Sequence, residues 1–150
     1  MGEGKNRRLV HSFRDAARGI WHCVKNERNF RVHLCALANV VLFGFLWRVG
    51  RDAWLAMSIC FAVVLSAELF NTAVELLCDR IAEGFDQRIG LIKDISAAAV
   101  SVTAFFSAAI GAIVFLPKLF EAPRDALWLL LTAPLSLLFI FAGGKAGRRK

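Results

Sequence analysis

The chain of 150 residues carries 19 Lys and Arg against 12 Asp and Glu, a formal net charge of +7, yet 57% of it is hydrophobic. That apolar share excludes a disordered basic tail and exceeds the roughly 45–50% typical of a soluble domain. A small chain that is both basic and apolar reads as an integral membrane protein with cationic flanks, built as one bundle of roughly three to five helices.

Residues 1–33 are polar and basic. Within them Leu9, Phe13, Ala16, Ala17, Ile20, Trp21 and Val24 recur at spacings of three and four. Arg7, Arg8, Arg14, Arg18 and Lys25 occupy the other side. This pattern predicts an amphipathic helix over about 8–30, with Phe and Trp on its apolar side, lying at the membrane–water boundary. The first 30 residues hold no apolar core and no small-residue cleavage pattern, so no secretory signal is expected.

Three apolar runs follow, predicting spans at about 32–49, 53–81 and 93–117. The first is broken from the second by Gly50, Arg51 and Asp52. Residues 82–93 are polar, contain Gly84 and Gly90, and read as a loop. The run from Ile95 to Leu116 holds 22 uncharged residues and is closed by Pro117. At about 1.5 Å per residue it spans the roughly 30 Å hydrocarbon core. A shorter run, 126–142, contains Pro134 and predicts a fourth span, followed by the basic tail 143–150. The expected fold is therefore all-α: an integral membrane bundle with an interfacial N-terminal helix, three core spans and a fourth.

Basic residues set the orientation. With the N-terminus cytoplasmic and four spans, the inside segments hold 15 Lys and Arg and the outside segments 4. The expected location is a bacterial cell membrane, multi-pass. The cysteines Cys23, Cys35, Cys60 and Cys78 are separated by 12, 25 and 18 residues and form no zinc or redox spacing. They read as small buried hydrophobes.

The second span carries the chemistry. Glu68, Asn71, Thr72, Glu75 and Asp79 stand at offsets 0, 3, 4, 7 and 11. At 3.6 residues per turn they share one stripe about 100° wide on an otherwise apolar helix. Each ionisable group at membrane depth costs roughly 2.5–3.5 kcal/mol on insertion scales. Three acids on one stripe also repel unless a cation lies among them. Lys93 and Asp94 stand after the loop at the same membrane face, and Glu27 stands at the end of the amphipathic helix. Glu27 and Glu75 offer oxygen ligands to a hard divalent ion, and Mg²⁺ typically takes one or two carboxylates plus substrate phosphates. Lys93 suits a phosphate as a point charge.

The segments ERNFRVH, AELFNTAVELLCDR and IKDISAAAV resemble the prokaryotic diacylglycerol kinase / undecaprenol kinase family, over about residues 8–118. The pattern E-x-x-N-[ST]-A-[IV]-E-x-x-x-D, followed by K-D fourteen residues after its Asp, is specific. ERNFRVH and IVFLPKLF look like the Gram-positive undecaprenol kinase branch; proteobacterial diacylglycerol kinases have a carboxylate where His33 stands. Two departures are the stretch GFDQRIGL, which replaces a His-Pro-Leu-Ala-Lys type of loop, and Asp15, which stands where some relatives have an aromatic.

The resemblance implies a homotrimeric lipid kinase of phospholipid metabolism that transfers phosphate from Mg-ATP to a lipid alcohol. It implies Glu68 as general base, with Asn71 and Asp79 shaping the site. It implies Glu27 and Glu75 on the metal of Mg-ATP, Lys93 on the nucleotide phosphates and Asp94 beside it. Residues 1–118 would form the kinase domain, and 119–150 an added hydrophobic segment and tail. Undecaprenol is the expected acceptor and diacylglycerol the alternative; no nucleic-acid partner is expected. From other classes, the acidic stripe could serve an ion-coupled carrier or a non-catalytic membrane protein. A carrier would call for inverted repeats or broken helices, and the sequence shows neither. The small residues Ala99, Thr103, Ser107 and Gly111, with Ala104, Ala108 and Ala112, would let helices approach closely in a trimer.

Overall fold

The computed structural model describes residues 3–81, 84 and 86–121, with side-chain surroundings from residue 9 onward. The described chain is all-α, with four helices: α1 (Glu3–Asn26), α2 (Arg28–Leu46), α3 (Arg51–Ile81) and α4 (Gln87–Glu121). The last three are long and apolar enough to cross a membrane. The 126–142 run and the tail lie outside the described residues.

Most of the apolar surface is turned outward. Leu9, Phe13, Ile20 and Trp21 on α1 are exposed, as are Phe70 on α3 and Phe105, Phe106 and Ile113 on α4. In water such faces would aggregate; in a bilayer they are the surface that lipid or another helix covers. The α3–α4 hairpin is the most extensive helix pairing, with α2 against α3.

The helices begin and end differently from the sequence expectation, and each shift has a local cause. The first helix stops at Asn26, not near residue 30. Glu27 takes an extended backbone, φ −97° and ψ 116°, and α2 starts at Arg28. Arg31, buried on α2, closes this elbow. Its guanidinium donates to the carbonyls of Val24 at 3.1 Å and Lys25 at 3.0 Å, satisfying acceptors that the end of α1 leaves bare.

The polar loop is shorter than expected, because Asp86 starts α4 at Gln87. Its side chain accepts from the backbone N–H of Arg88 at 2.7 Å and of Ile89 at 3.3 Å, the pattern of an N-cap. Lys93 and Asp94 therefore sit on the second turn of a helix and not at a loop end. Pro117 does not close the span. It lies inside α4, which continues to Glu121 and gives up the one backbone bond that proline cannot donate.

At the opposite end of the bundle aromatic rings pair between helices. Phe45 packs on Trp54 and Trp47 on Phe115, with centroids 4.9 and 5.9 Å apart. The α2–α3 turn passes through Arg48 at φ 47°. Gly44 is buried against Trp54: a Cβ there would lie 2.8 Å from the indole ring. The absent side chain sets how closely α3 approaches α2.

Candidate active site

The polar stripe on α3 points inward at its deep end and outward at its shallow end. Glu68, Asn71 and Thr72 are 2%, 8% and 4% exposed, whereas Asp79 is open to solvent. A carboxylate this buried on an apolar 31-residue helix is costly unless it is partnered or used.

Asn71 links two elements. Its Nδ2 donates to Glu75 Oε1 at 2.8 Å, and its Oδ1 accepts from the Ser96 hydroxyl of α4 at 2.6 Å. The amide orientation follows from its partners, since an ionised carboxylate only accepts and a hydroxyl can donate. Glu75 is thereby held by a chain that begins on another helix. Lys93 pairs with Asp79 across the α3–α4 turn, in a partly solvated contact. Thr72 makes a side-chain hydrogen bond to Cys23 of α1, which brings the end of the amphipathic helix onto the stripe; burial pushes the Cys23 thiol up from its ordinary value.

Glu27, at the α1–α2 elbow, makes no capping hydrogen bond with its side chain. Its carboxyl is held above the usual carboxylate range, first by burial and then by the charge of Glu75. The charge of Glu75 on α3 thus acts on Glu27 at the elbow. No group of three or more His, Cys, Asp or Glu that could hold a metal occurs among the described residues. Glu27 and Glu75 offer two carboxylates, the number Mg²⁺ typically takes from a protein when phosphate oxygens complete its shell.

Six of the seven expected residues gather at this end of the bundle: Glu27, Glu68, Asn71, Glu75, Asp79 and Lys93. Asp94 is turned elsewhere. It is exposed and lines an open surface cavity of about 460 Å³ with Gln87, Arg88, Gly90 and Leu91. Three contributors were not singled out for the site from sequence. Ser96 stands three residues after Lys93, so helical spacing puts both on one face of α4. Arg31 gives no such signal, because one more arginine in a basic segment looks like surface charge. His33 lies with its Nε2 3.2 Å from Glu68 Oε1.

A buried carboxylate, a second acid tethered by Asn71, an elbow acid and a lysine thus stand at one end of a bundle whose helices can cross a membrane, in a chain whose relatives are lipid kinases. Residues 14–115 match the family model described as prokaryotic diacylglycerol kinase, and the chain belongs to that family. It is 38% identical to the undecaprenol kinase of Bacillus subtilis over 112 residues, 75% of this chain and 91% of that protein. It is 29% identical to the diacylglycerol kinase of Synechocystis over 112 residues, 74% of this chain and 64% of that protein. No solved structure matches the chain.

Proposed function

We propose that the chain phosphorylates undecaprenol from Mg-ATP at the cytoplasmic face of a bacterial membrane. The observation that carries this reading is the depth gradient along α3, with a buried carboxylate at Glu68 and a tethered one at Glu75. Seven residues separate them, about 10.5 Å along the axis. Glu68 takes the proton of the lipid alcohol's hydroxyl while the alcohol oxygen bonds to the γ-phosphorus and the bond from that phosphorus to ADP breaks. Phosphoryl transfer needs positioning and charge neutralisation more than covalent chemistry, and this end of the bundle supplies both.

Glu27 and Glu75 hold the metal of Mg-ATP, with Asn71 fixing Glu75. A Mg²⁺ held there would supply neutralisation of the charge that develops on the phosphates. Lys93 leaves Asp79 for the nucleotide phosphates, and an exposed ion pair of this kind is weak enough to be exchanged. Asp94 is assigned to the nucleotide only through the family motif. The kinase domain is residues 1–118, with 119–150 an additional hydrophobic segment and basic tail. The N-terminus is cytoplasmic, and the outward apolar and small-residue faces of α4 support assembly as a homotrimer.

The greater identity to an undecaprenol kinase favours the polyprenol; the similarity to a diacylglycerol kinase makes diacylglycerol the second acceptor to try. The test is phosphate transfer from labelled ATP by the purified protein, with undecaprenol and diacylglycerol side by side. Turnover at least tenfold higher with undecaprenol supports the assignment; the reverse preference replaces it. Glu68→Gln, nearly isosteric and easier to hold in a membrane, should keep the melting temperature while turnover falls about 10²–10⁴-fold.

A further inference from the structure

The deepest acid of the site touches one side chain that no part of the mechanism above employs. His33 reaches Glu68 from α2, Nε2 to Oε1 at 3.2 Å, with the two side chains 19% and 3% exposed. Oε1 is buried and makes no hydrogen bond among the described residues, so the Nε2 of His33 stands at ion-pair distance from an oxygen that still lacks a donor. The charges of Glu27 and Glu75 both reach Glu68, and neither supplies a donor. Asn71 is committed to Glu75 and Ser96, and Thr72 bonds Cys23.

We propose that His33 is the positioning residue of the catalytic base: its Nε2–H holds Oε1 of Glu68 so that Oε2 faces the acceptor hydroxyl. An ionised carboxylate only accepts hydrogen bonds, so the contact is attractive only with hydrogen on Nε2. A carboxylate with one oxygen tied has a fixed plane, whereas an untied one rotates about its last bond. The chemistry is sensitive to this, because a reacting group must meet the hydroxyl within hydrogen-bond reach. Packing alone gives no reason for histidine here. α2 is an apolar span, in which an imidazole is costlier than leucine unless it has a partner. The two residues come from different helices, so α2 carries part of the base's geometry although no acid of the site lies within its span.

This proposal rests on Glu68 acting as base, and the experiment separates the two. His33→Leu removes the donor. His33→Gln keeps an N–H near the place of Nε2. Each is compared with Glu68→Gln and with the double variant His33→Leu/Glu68→Gln, by lipid-dependent turnover, KM for Mg-ATP and melting temperature. His33→Leu should lower kcat about 10- to 100-fold, the loss expected from a misplaced reacting group, with KM for Mg-ATP unchanged. His33→Gln should recover to within a few-fold of wild type, which also shows that replacing the imidazole leaves the bundle folded. The double variant should be no slower than Glu68→Gln alone.

Wild-type kcat in His33→Leu, equal losses in the Gln and Leu variants, or losses that multiply in the double variant would overturn the positioning role while leaving Glu68 as base. Wild-type turnover in Glu68→Gln overturns the base assignment and the positioning role with it.

Discussion

Ser96 on α4 donates its hydroxyl proton to Oδ1 of Asn71 on α3 at 2.6 Å, across 25 residues of chain. The contact fixes which way the amide points, and so leaves its Nδ2 aimed at Glu75. A serine on one helix thereby sets the direction of an acid on another. Ser96→Ala should free the amide to rotate and raise the KM for Mg-ATP a few-fold, in keeping with about 1 kcal/mol for one lost hydrogen bond. Asn71→Ala should cost more, and Asn71→Asp most of all, since it sets a third carboxylate against Glu75. Steady-state kinetics on the three variants checks the order; an Asn71→Asp enzyme as active as Asn71→Ala would remove the amide from this role.

Arg31 binds the last carbonyls of α1 from inside α2. It is 4% exposed, and its Nε has no hydrogen-bond partner among the described residues. Arg31→Met keeps most of the packing and removes both bonds, leaving Val24 and Lys25 with bare carbonyls at the elbow. The melting temperature should drop by an amount corresponding to about 2–4 kcal/mol, as for charged hydrogen bonds lost at a buried site. Protease cleavage around residues 24–28 should accelerate in parallel. Unaltered melting and cleavage would mean that the elbow is held by Glu27's backbone alone.

The spans were legible because hydrophobic runs and basic flanks are long-range averages that single residues do not upset. The stripe from Glu68 to Asp79 was legible for a related reason: helical periodicity alone places those side chains on one face. What periodicity cannot give is the partner on another helix. His33 and Ser96 acquire their meaning only when α2 and α4 are laid against α3, and Arg31 only when the chain bends at Glu27. Helix ends were misjudged where one side chain decides them: Asp86 as N-cap of α4, and Arg31 at the end of α1. Asp94 shows what sequence adjacency hides, since one step from Lys93 is a rotation of about 100° on a helix.

Gly44 leaves no room for a side chain, its notional Cβ falling 2.8 Å from Trp54. Gly44→Ala must push the indole away or part α2 from α3, at about 1–3 kcal/mol for overpacking. The site lies at the other end of the bundle, so kcat and KM should hold at temperatures below the lowered melting point. Trp54→Leu combined with Gly44→Ala should regain part of the lost stability. If the pair is no more stable than Gly44→Ala, the clash with Trp54 is not what the glycine avoids.

Glu27 gives a prediction with two opposite signs. Without metal its carboxyl is held above the ordinary glutamate range by burial and by Glu75. A carboxyl raised in the folded state binds its proton more tightly there than in the unfolded chain. The stabilisation this provides is complete below the unfolded value and is lost as pH rises through the folded one. At neutral pH the ionised Glu27 is therefore a burden on the metal-free fold. Glu27→Gln should raise the melting temperature at pH 7 in chelator, and the gain should shrink toward zero as pH falls below the ordinary glutamate range. In turnover the same variant should behave as a loss, demanding more Mg²⁺ for half-maximal rate, because one of two proposed oxygen ligands has become a neutral amide. Glu75→Gln should share the raised Mg²⁺ requirement. Measuring both quantities on one preparation separates a metal ligand from an ordinary surface acid at the elbow, for which neither the melting temperature nor the Mg²⁺ dependence would move.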